Sequence, residues 1–447
     1  VVVNELQRGT VWLINENMIR VDNWVDVIPP NADDGDEDES TKQEPLFKIP
    51  ERSQKNHKPT AVPDQYGVRA GETAILPVLE NDTDPDGDLL SASLQGQTPA
   101  TAMVQTVQGG AALQVAVGAN ATGDVSFTYR VDDGRTDGTA ESKVTLHVRP
   151  ANSNSPPAQL KVKTLPLELG ATVTYDALLG WRDPESDDLY LKRAWVEGAS
   201  EDDKVTFRNN GVIQFTEATG ERGIHEVNLL VTDGTDEFQG LLRVDVRAKG
   251  SLAPVVSADR YSTLVDQPIT VSPLDNDRSG SGKQLRLAKV DQVANAKISP
   301  PDTGGTFTFT ASQPGAYYVG YLTTDGPNTS AGIVRIDVLA ESKDGLPPLA
   351  ARDTALLPVG REVLVDVLAN DTDPMGSILV LQSVTVPRGS KVSAEVLEHR
   401  ILRVKDVGQL SSPATISYRV SNGGQWAEDT VRILPVPLPE KLQPPTT

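Results

Sequence analysis

Four aspartates fall at alternate positions of one short stretch. Asn81–Asp88 reads NDTDPDGD, so Asp82, Asp84, Asp86 and Asp88 sit two residues apart, with Gly87 among them. Hard carboxylate oxygens at that spacing suit Ca2+, which takes about six to eight oxygen ligands. Asp132 and Asp133, just ahead of Gly134, form a second acidic loop. The six aspartates together are the candidate metal set, and calcium is the one cofactor they suggest. Ser93 stands where a calcium-binding helix–loop–helix needs its bidentate glutamate, and no helical pattern flanks the loop, so that kind of site is excluded. A second use of the same residues stays open. Asn, Asp and Gly also close tight turns by side-chain to backbone hydrogen bonds.

The elements that must position these loops repeat along the chain. The apolar run TAILPVL precedes NDTDPDGD; TVTYDALLG precedes WRDPESDD at Trp181–Asp188; ITVSPL precedes Asp275–Asp277; and VLVDVLA precedes NDTDP ending at Pro374. Equivalent leucines are Leu79, Leu179, Leu274 and Leu368, a spacing close to the ~100 residues of one sandwich domain. A second landmark keeps the same register: SFTYRVDDG, EVNLLVTDG, YVGYLTTDG and TISYRVSNG end at Gly134, Gly234, Gly326 and Gly423. Apolar or aromatic residues alternate within each, the two-residue period of a half-buried strand. Asp-Gly or Asn-Gly then tolerates the positive φ of a tight hairpin. In such a sandwich the two acidic loops share one end. The acids thin out along the chain, however. The second repeat keeps Asp183, Glu185, Asp187 and Asp188; the fourth keeps Asp371 and Asp373 but has Met375; the third has only Asp275 and Asp277, followed by Arg278.

The spacing predicts an all-β chain divided as follows: a β-meander at 1–30, an acidic linker at 31–58, four sandwich domains at 59–150, 151–250, 251–341 and 342–437, and a proline-rich tail at 438–447. Short connectors carrying proline make neighbours semi-rigid, so the expected shape is an elongated rod.

Composition excludes several functions. With 41 basic and 62 acidic residues the net charge is −21, a surface that repels nucleic acid and anionic membranes. No run approaches the ~18 apolar residues of a membrane span. Without cysteine there is no disulfide or thiol chemistry, which suits an exported bacterial protein better than a secreted eukaryotic one. Beginning on Val1 in what reads as mid-strand, the chain is expected to be part of something longer. His57, His147, His225 and His399 are far apart, and no HExxH, GxSxG or Cys–His pairing occurs. The SGSGK run ending at Lys283 lacks the first glycine and the final hydroxyl of a phosphate loop and reads as a surface turn. Trp12, Trp24, Trp181, Trp195 and Trp426 are too few for a sugar-stacking platform; core filling is the expected use, with Trp426, after the last hairpin turn, the candidate for exposure.

The motifs L-x-N-D-x-D-P-D-G-D and S-F-T-Y-x-V-x-D-G resemble the bacterial immunoglobulin-like, cadherin-like repeats of large exported surface proteins. The likeness is close in the first repeat, good in the fourth and partial in the other two. Residues 1–30 are more distantly similar to the edge of a β-propeller blade. The resemblance implies seven-stranded immunoglobulin-like sandwiches outside the cell, serving as a non-enzymatic stalk or adhesion segment with a protein or cell-surface partner. Self-association fits the same frame. Two alternatives remain: spacer domains of an exported enzyme, or a partner-binding module using a sheet edge or loops.

Overall fold

The computed structural model describes residues 2–5, 10–13, 19–21, 55–150, 152–197, 204–340, 345–374 and 376–438. Most of the expected acidic linker, Trp24, Met375 and the end of the proline-rich tail lie outside them. The expected N-terminal meander is a three-stranded antiparallel sheet of β1 (Val2–Glu5), β2 (Thr10–Leu13) and β3 (Ile19–Val21).

Domain 1 contains β4 (Asp64–Arg69), β5 (Thr73–Leu76), β6 (Ser91–Gln95), β7 (Ala102–Val107), β8 (Ala112–Val117), β9 (Gly123–Asp132) and β10 (Thr139–Arg149). One sheet has the order β4-β10-β9-β6 and the other β5-β8-β7. β4 runs parallel to β10, and the remaining pairs are antiparallel. In β9 the alternate residues Val125, Phe127, Tyr129 and Val131 face inward. They meet Leu76, Leu113, Val115, Val144 and Leu146 in a closed core. Each such side chain taken out of water contributes about 1.5–3 kcal/mol, so a one-residue slip of β9, which would turn all four outward, is strongly opposed.

Domain 2 adds a short pair, β11 (Ala158–Gln159) with β14 (Trp181–Arg182), to β12 (Lys163–Glu168), β13 (Thr172–Asp176), β15 (Tyr190–Trp195), β16 (Lys204–Phe207), β17 (Val212–Thr216), β18 (Gly223–Thr232) and β19 (Glu237–Arg247). Domain 3 runs from β20 (Asp259–Leu264) and β21 (Ile269–Val271) through β22 (Arg286–Val290), β23 (Ala296–Ile298) and β24 (Phe307–Ala311) to β25 (Gly315–Thr324) and β26 (Thr329–Leu339). Domain 4 comprises β27 (Asp353–Pro358), β28 (Glu362–Asp366), β29 (Val380–Thr385), β30 (Val392–Leu397), β31 (Ile401–Asp406), β32 (Ala414–Ser421) and β33 (Trp426–Val436). Every domain repeats the four-plus-three sheet order and has its own core. The expected hairpin chemistry holds: Gly134, Gly234, Gly326 and Gly423 all have positive φ, between 75° and 112°.

The elongated rod is corrected. Domain 1 touches all three other domains. Against domain 2, the Arg69 guanidinium reaches Asp187 and Asn154, and Arg182 pairs with Glu80 at 2.6 Å. Against domain 3, Arg335 donates to the carbonyls of Leu89 and Asp132, and Arg260 donates to that of Leu90. Against domain 4, Arg352 donates to the Thr73 carbonyl, and Val107, Ala112 and Ala351 form a small apolar cluster. Tyr190 of domain 2 packs on Leu434 and Val436 of domain 4. Gly250 and Gly345, beside two of the domain boundaries, have positive φ, which glycine adopts without strain. Arginines projecting from one sandwich then find carbonyls and carboxylates on the next. The SGSGK turn is such a contact rather than free surface, since the Gly280 carbonyl accepts from Glu168 N–H across the boundary between domains 2 and 3.

Candidate metal centre

In domain 1 the β5–β6 and β9–β10 loops meet at one end of the sandwich, as the strand order requires. Asp84, Asp88 and Asp133 come together there, and an oxygen from each lies within 4.8 Å of the others. Asp88 is 6% exposed and Asp133 fully buried. Asp84 Oδ1 accepts the N–H groups of Asp86 (2.8 Å) and Asp88 (2.9 Å), which fixes the loop's curl. Asp133 Oδ1 accepts the Arg135 N–H and its Oδ2 accepts the Asn56 side-chain amide, tying the incoming chain to the site.

The other three candidate residues go elsewhere. Asp82 points into the sandwich, where its Oδ1 accepts the Val62 N–H at 2.7 Å and its Oδ2 the Tyr129 hydroxyl at 3.0 Å. Asp132 caps the hairpin through the Gly134 N–H. Asp86 holds His57 by main chain and ring, 2.7 and 3.0 Å away, and lies 3.8 Å from Arg135. Burial pushes the Asp86 carboxyl up, but these partners outweigh it and hold it below the usual range. Turn capping and convergence therefore coexist, and Asp84 and Asp133 do both.

The donor set fits a hard cation: three carboxylates, no nitrogen or sulfur ligand, on two loops that can adjust. Arg135 Nη1 lies 3.2 Å from Asp88 Oδ2, so one positive charge already faces three negative ones and the site is net negative by about two charges when all three are ionised. A cation bound there would hold the β5–β6 loop, the β9–β10 hairpin and, through Asn56, the entering chain as one unit.

The same end of each other domain shows what replaces the cluster. In domain 2, Asp183 Oδ1 accepts the N–H groups of Glu185 and Asp187, as Asp84 does with its own loop. Asp187 is drawn out to Arg69 of domain 1, and Asn154 satisfies Asp233. Burial pushes the Asp183 carboxyl up to about 7. In domain 3 the Ser281 hydroxyl donates to Asp325 at 2.6 Å; in domain 4 the Asn422 amide donates to Asp373 at 2.7 Å. Donors stand where domain 1 gathers acids.

The histidines assemble nothing between them. His57 serves Asp86, His147 faces Asp124 at 2.8 Å, and His225 packs edge-on against Phe215. Trp181 is buried against Phe238, while Trp426 is half exposed beneath the Arg419 guanidinium.

Sequence reasoning missed one recurrent pairing. Tyr129, Tyr321 and Tyr418 each donate to an aspartate, the buried Asp82 and Asp371 and the half-buried Asp277. Each aspartate has a second carboxyl beside it, from Asp64, Asp259 and Asp353. In domain 2 these places are taken by Leu229, Trp181 and Lys163. A tyrosine five residues before each hairpin glycine was the available signal.

Comparison with known proteins agrees with this geometry. The bacterial Ig domain family matches residues 56–147 and 344–434, and no curated protein matches the chain. Among solved structures, Drosophila N-cadherin EC1-4 is 15% identical, covering 83% of this chain and 99% of that one, with a TM-score of 0.25. The four N-terminal Ig domains of Dscam1 isoform 6.9 are 11% identical, covering 85% and 100%, with a TM-score of 0.26. An endo-fucoidan hydrolase of glycoside hydrolase family 107 is 16% identical with a TM-score of 0.19, and the chain spans 45% of its length. None of these whole-chain superpositions bears on function. The strand order of the four domains and the two family matches identify the chain as a tandem of immunoglobulin-like sandwiches, the first and fourth of which match the bacterial Ig domain family.

Proposed function

We propose that the chain is a non-enzymatic segment of a larger bacterial surface protein, spacing or presenting a distal binding region outside the cell. The observation that carries this reading is how four copies of one sandwich use their loop acids. At the end of the domain where a binding or catalytic site would be built, the carboxylates hold main-chain N–H groups, a core tyrosine or the arginines of neighbouring domains. Such a use fixes shape. Antibodies raised against domain 4 should label intact bacteria that carry the parent protein; labelling only after lysis would overturn the surface reading.

Within this reading, Asp84, Asp88 and Asp133 hold one Ca2+ in domain 1 and stiffen its junction with the preceding chain. Binding at 100 times the Kd adds about 2.7 kcal/mol to the folded state. Millimolar calcium should therefore raise the melting transition of domain 1 relative to chelator, and Asp88→Asn should abolish the rise. An identical melting curve in calcium and chelator removes the ion from the account.

A further inference from the structure

Domains 3 and 4 each set one buried and one half-buried carboxyl group around one tyrosine. In domain 3, Asp277 Oδ1 accepts the Ser257 N–H at 2.9 Å, and the Tyr321 hydroxyl lies 3.0 and 3.2 Å from its two oxygens. Asp259, 7% exposed, accepts the Asn276 amide at Oδ1 (3.0 Å), while its Oδ2 is buried with no hydrogen-bond partner among the described residues. In domain 4, Asp371 Oδ1 accepts the Ala351 N–H (2.7 Å) and the Tyr418 hydroxyl (2.9 Å). Oδ2 of Asp371 and Oδ2 of Asp353 are both buried with no hydrogen-bond partner among the described residues, although Tyr418 and Asn370 also bond to the Asp353 carboxyl. Two anionic carboxylates cannot share a buried site whose donors are a hydroxyl, an amide and a peptide N–H.

The surrounding charges compensate only in part, Arg260 and Arg278 pulling Asp259 and Asp277 down by less than burial pushes them up. Asp259 and Asp277 are faced by Asp275, Tyr261, Arg260 and Arg278. Arg260 is committed to the Leu90 carbonyl and Arg278 lies over the Tyr175 ring. Asp353 and Asp371 are faced by Asp429 and Asn370, and the nearby Arg352 is engaged by Asp188.

We propose that domains 3 and 4 each fold around a retained proton, shared between Asp259 and Asp277 in one and between Asp353 and Asp371 in the other, so that mild acid tightens them and alkali loosens them. Burial first, and the neighbouring acid second, push the Asp259 and Asp353 carboxyls up to about 8; burial pushes Asp277 to about 6 and Asp371 to about 7. A carboxyl raised on folding contributes stability fully present below its unfolded value near 4 and lost as the pH climbs through the folded value. The window is therefore about pH 4 to pH 8, with one proton counted per pair. Domain 2, with Lys163, Trp181 and Leu229 in the equivalent places, lacks the pair, and its own raised carboxyl, Asp183, lies at the loop mouth instead.

Calorimetry of the full chain tests this. The transitions of domains 3 and 4 should fall with rising pH between 5 and 8, each folding constant dropping up to about tenfold per pH unit; domain 2 responds through Asp183 alone and should level off near pH 7. Asp259→Asn and Asp353→Asn should each flatten one transition and leave it at least as stable as the parent at pH 8. Glu362→Gln, the same charge change on an exposed residue, should leave the slope intact. Parent transitions that hold level from pH 5 to 8, or Asn variants that keep the parent slope, would overturn the proposal. If an Asn variant does not fold, the carboxyl carbon resonances of Asp259 and Asp353 in the parent decide: midpoints in the neutral range support a retained proton, and midpoints near 4 refute it.

Discussion

Asp188 is the place to test whether the four domains pack together. Its Oδ1 engages Arg352 of domain 4 and accepts from the Thr354 hydroxyl at 2.9 Å, while Arg432, 3.7 Å from its Oδ2, also pairs with Glu72 of domain 1 at 2.6 Å. Domains 2 and 4 therefore meet on this carboxylate, and the same two arginines reach on to domain 1. The Arg352 side chain is 8% exposed and that of Asp188 15%. Removing one partner of a fully buried pair costs about 3–5 kcal/mol, because the other charge is left uncompensated. Arg352 keeps the Thr73 carbonyl as acceptor at 2.6 Å, so Asp188→Asn should cost the docked arrangement nearer 2 kcal/mol, about a thirtyfold shift toward open forms.

Small-angle scattering reads that shift. A compact chain of this length has a radius of gyration near 22 Å, four touching sandwiches stay below about 30 Å, and the same four in line give roughly 40 Å. The parent should fall in the lower range at low salt. Asp188→Asn should move it upward, and raised ionic strength should do so more weakly, since pairs this buried are screened less than exposed ones. A parent near 40 Å, or a variant indistinguishable from it at every salt concentration, would refute the packing.

Gly67→Ala should separate domains 1 and 2 without unfolding either, because a Cβ there would lie 1.8 Å from the Pro184 carbonyl oxygen; increased protease cleavage near residue 151 would report it. Tyr418→Phe strands the buried Asp371 and should lower the domain 4 transition by about 1–3 kcal/mol. Leu229→Phe in domain 2, where no carboxyl waits, should cost no more than the ~1–3 kcal/mol of overpacking and should leave the pH dependence of its transition unchanged.

Strands and turns were legible because each depends on residues close together in sequence. The alternation of Phe127, Tyr129 and Val131, and the glycine after each Asp or Asn pair, state their own geometry. Convergence of the two acidic loops followed from strand order alone. Which aspartates converge did not follow. Asp82 and Asp84 are two residues apart and look interchangeable, but β5 delivers Asp82 to the core side of the loop, under the Tyr129 hydroxyl, and Asp84 to its mouth. Docking between domains was invisible for a different reason. Arg69 and Asp187, or Arg352 and Asp188, are surface charges far apart in sequence, and nothing in their local pattern marks them as partners.

The domains that lost the acidic cluster show why it can be lost. Aspartates such as Asp84 and Asp183 curl the β5–β6 loop and its counterpart through two N–H bonds, and that service needs no cation. The remaining charge at the loop mouth then has to be met by something. Domain 2 meets it with Arg69 from its neighbour, domain 3 with the Ser281 hydroxyl and domain 4 with the Asn422 amide. Domain 1 keeps three acids and one arginine, Arg135. Its cluster faces the chain entering from residue 55, where Asn56 and His57 already bond to it. At the same loop mouth domain 2 carries its neighbour's arginine, domains 3 and 4 a hydroxyl or amide of their own, and domain 1 three acids with one arginine, so the residue at this one place decides whether a junction leans on another domain.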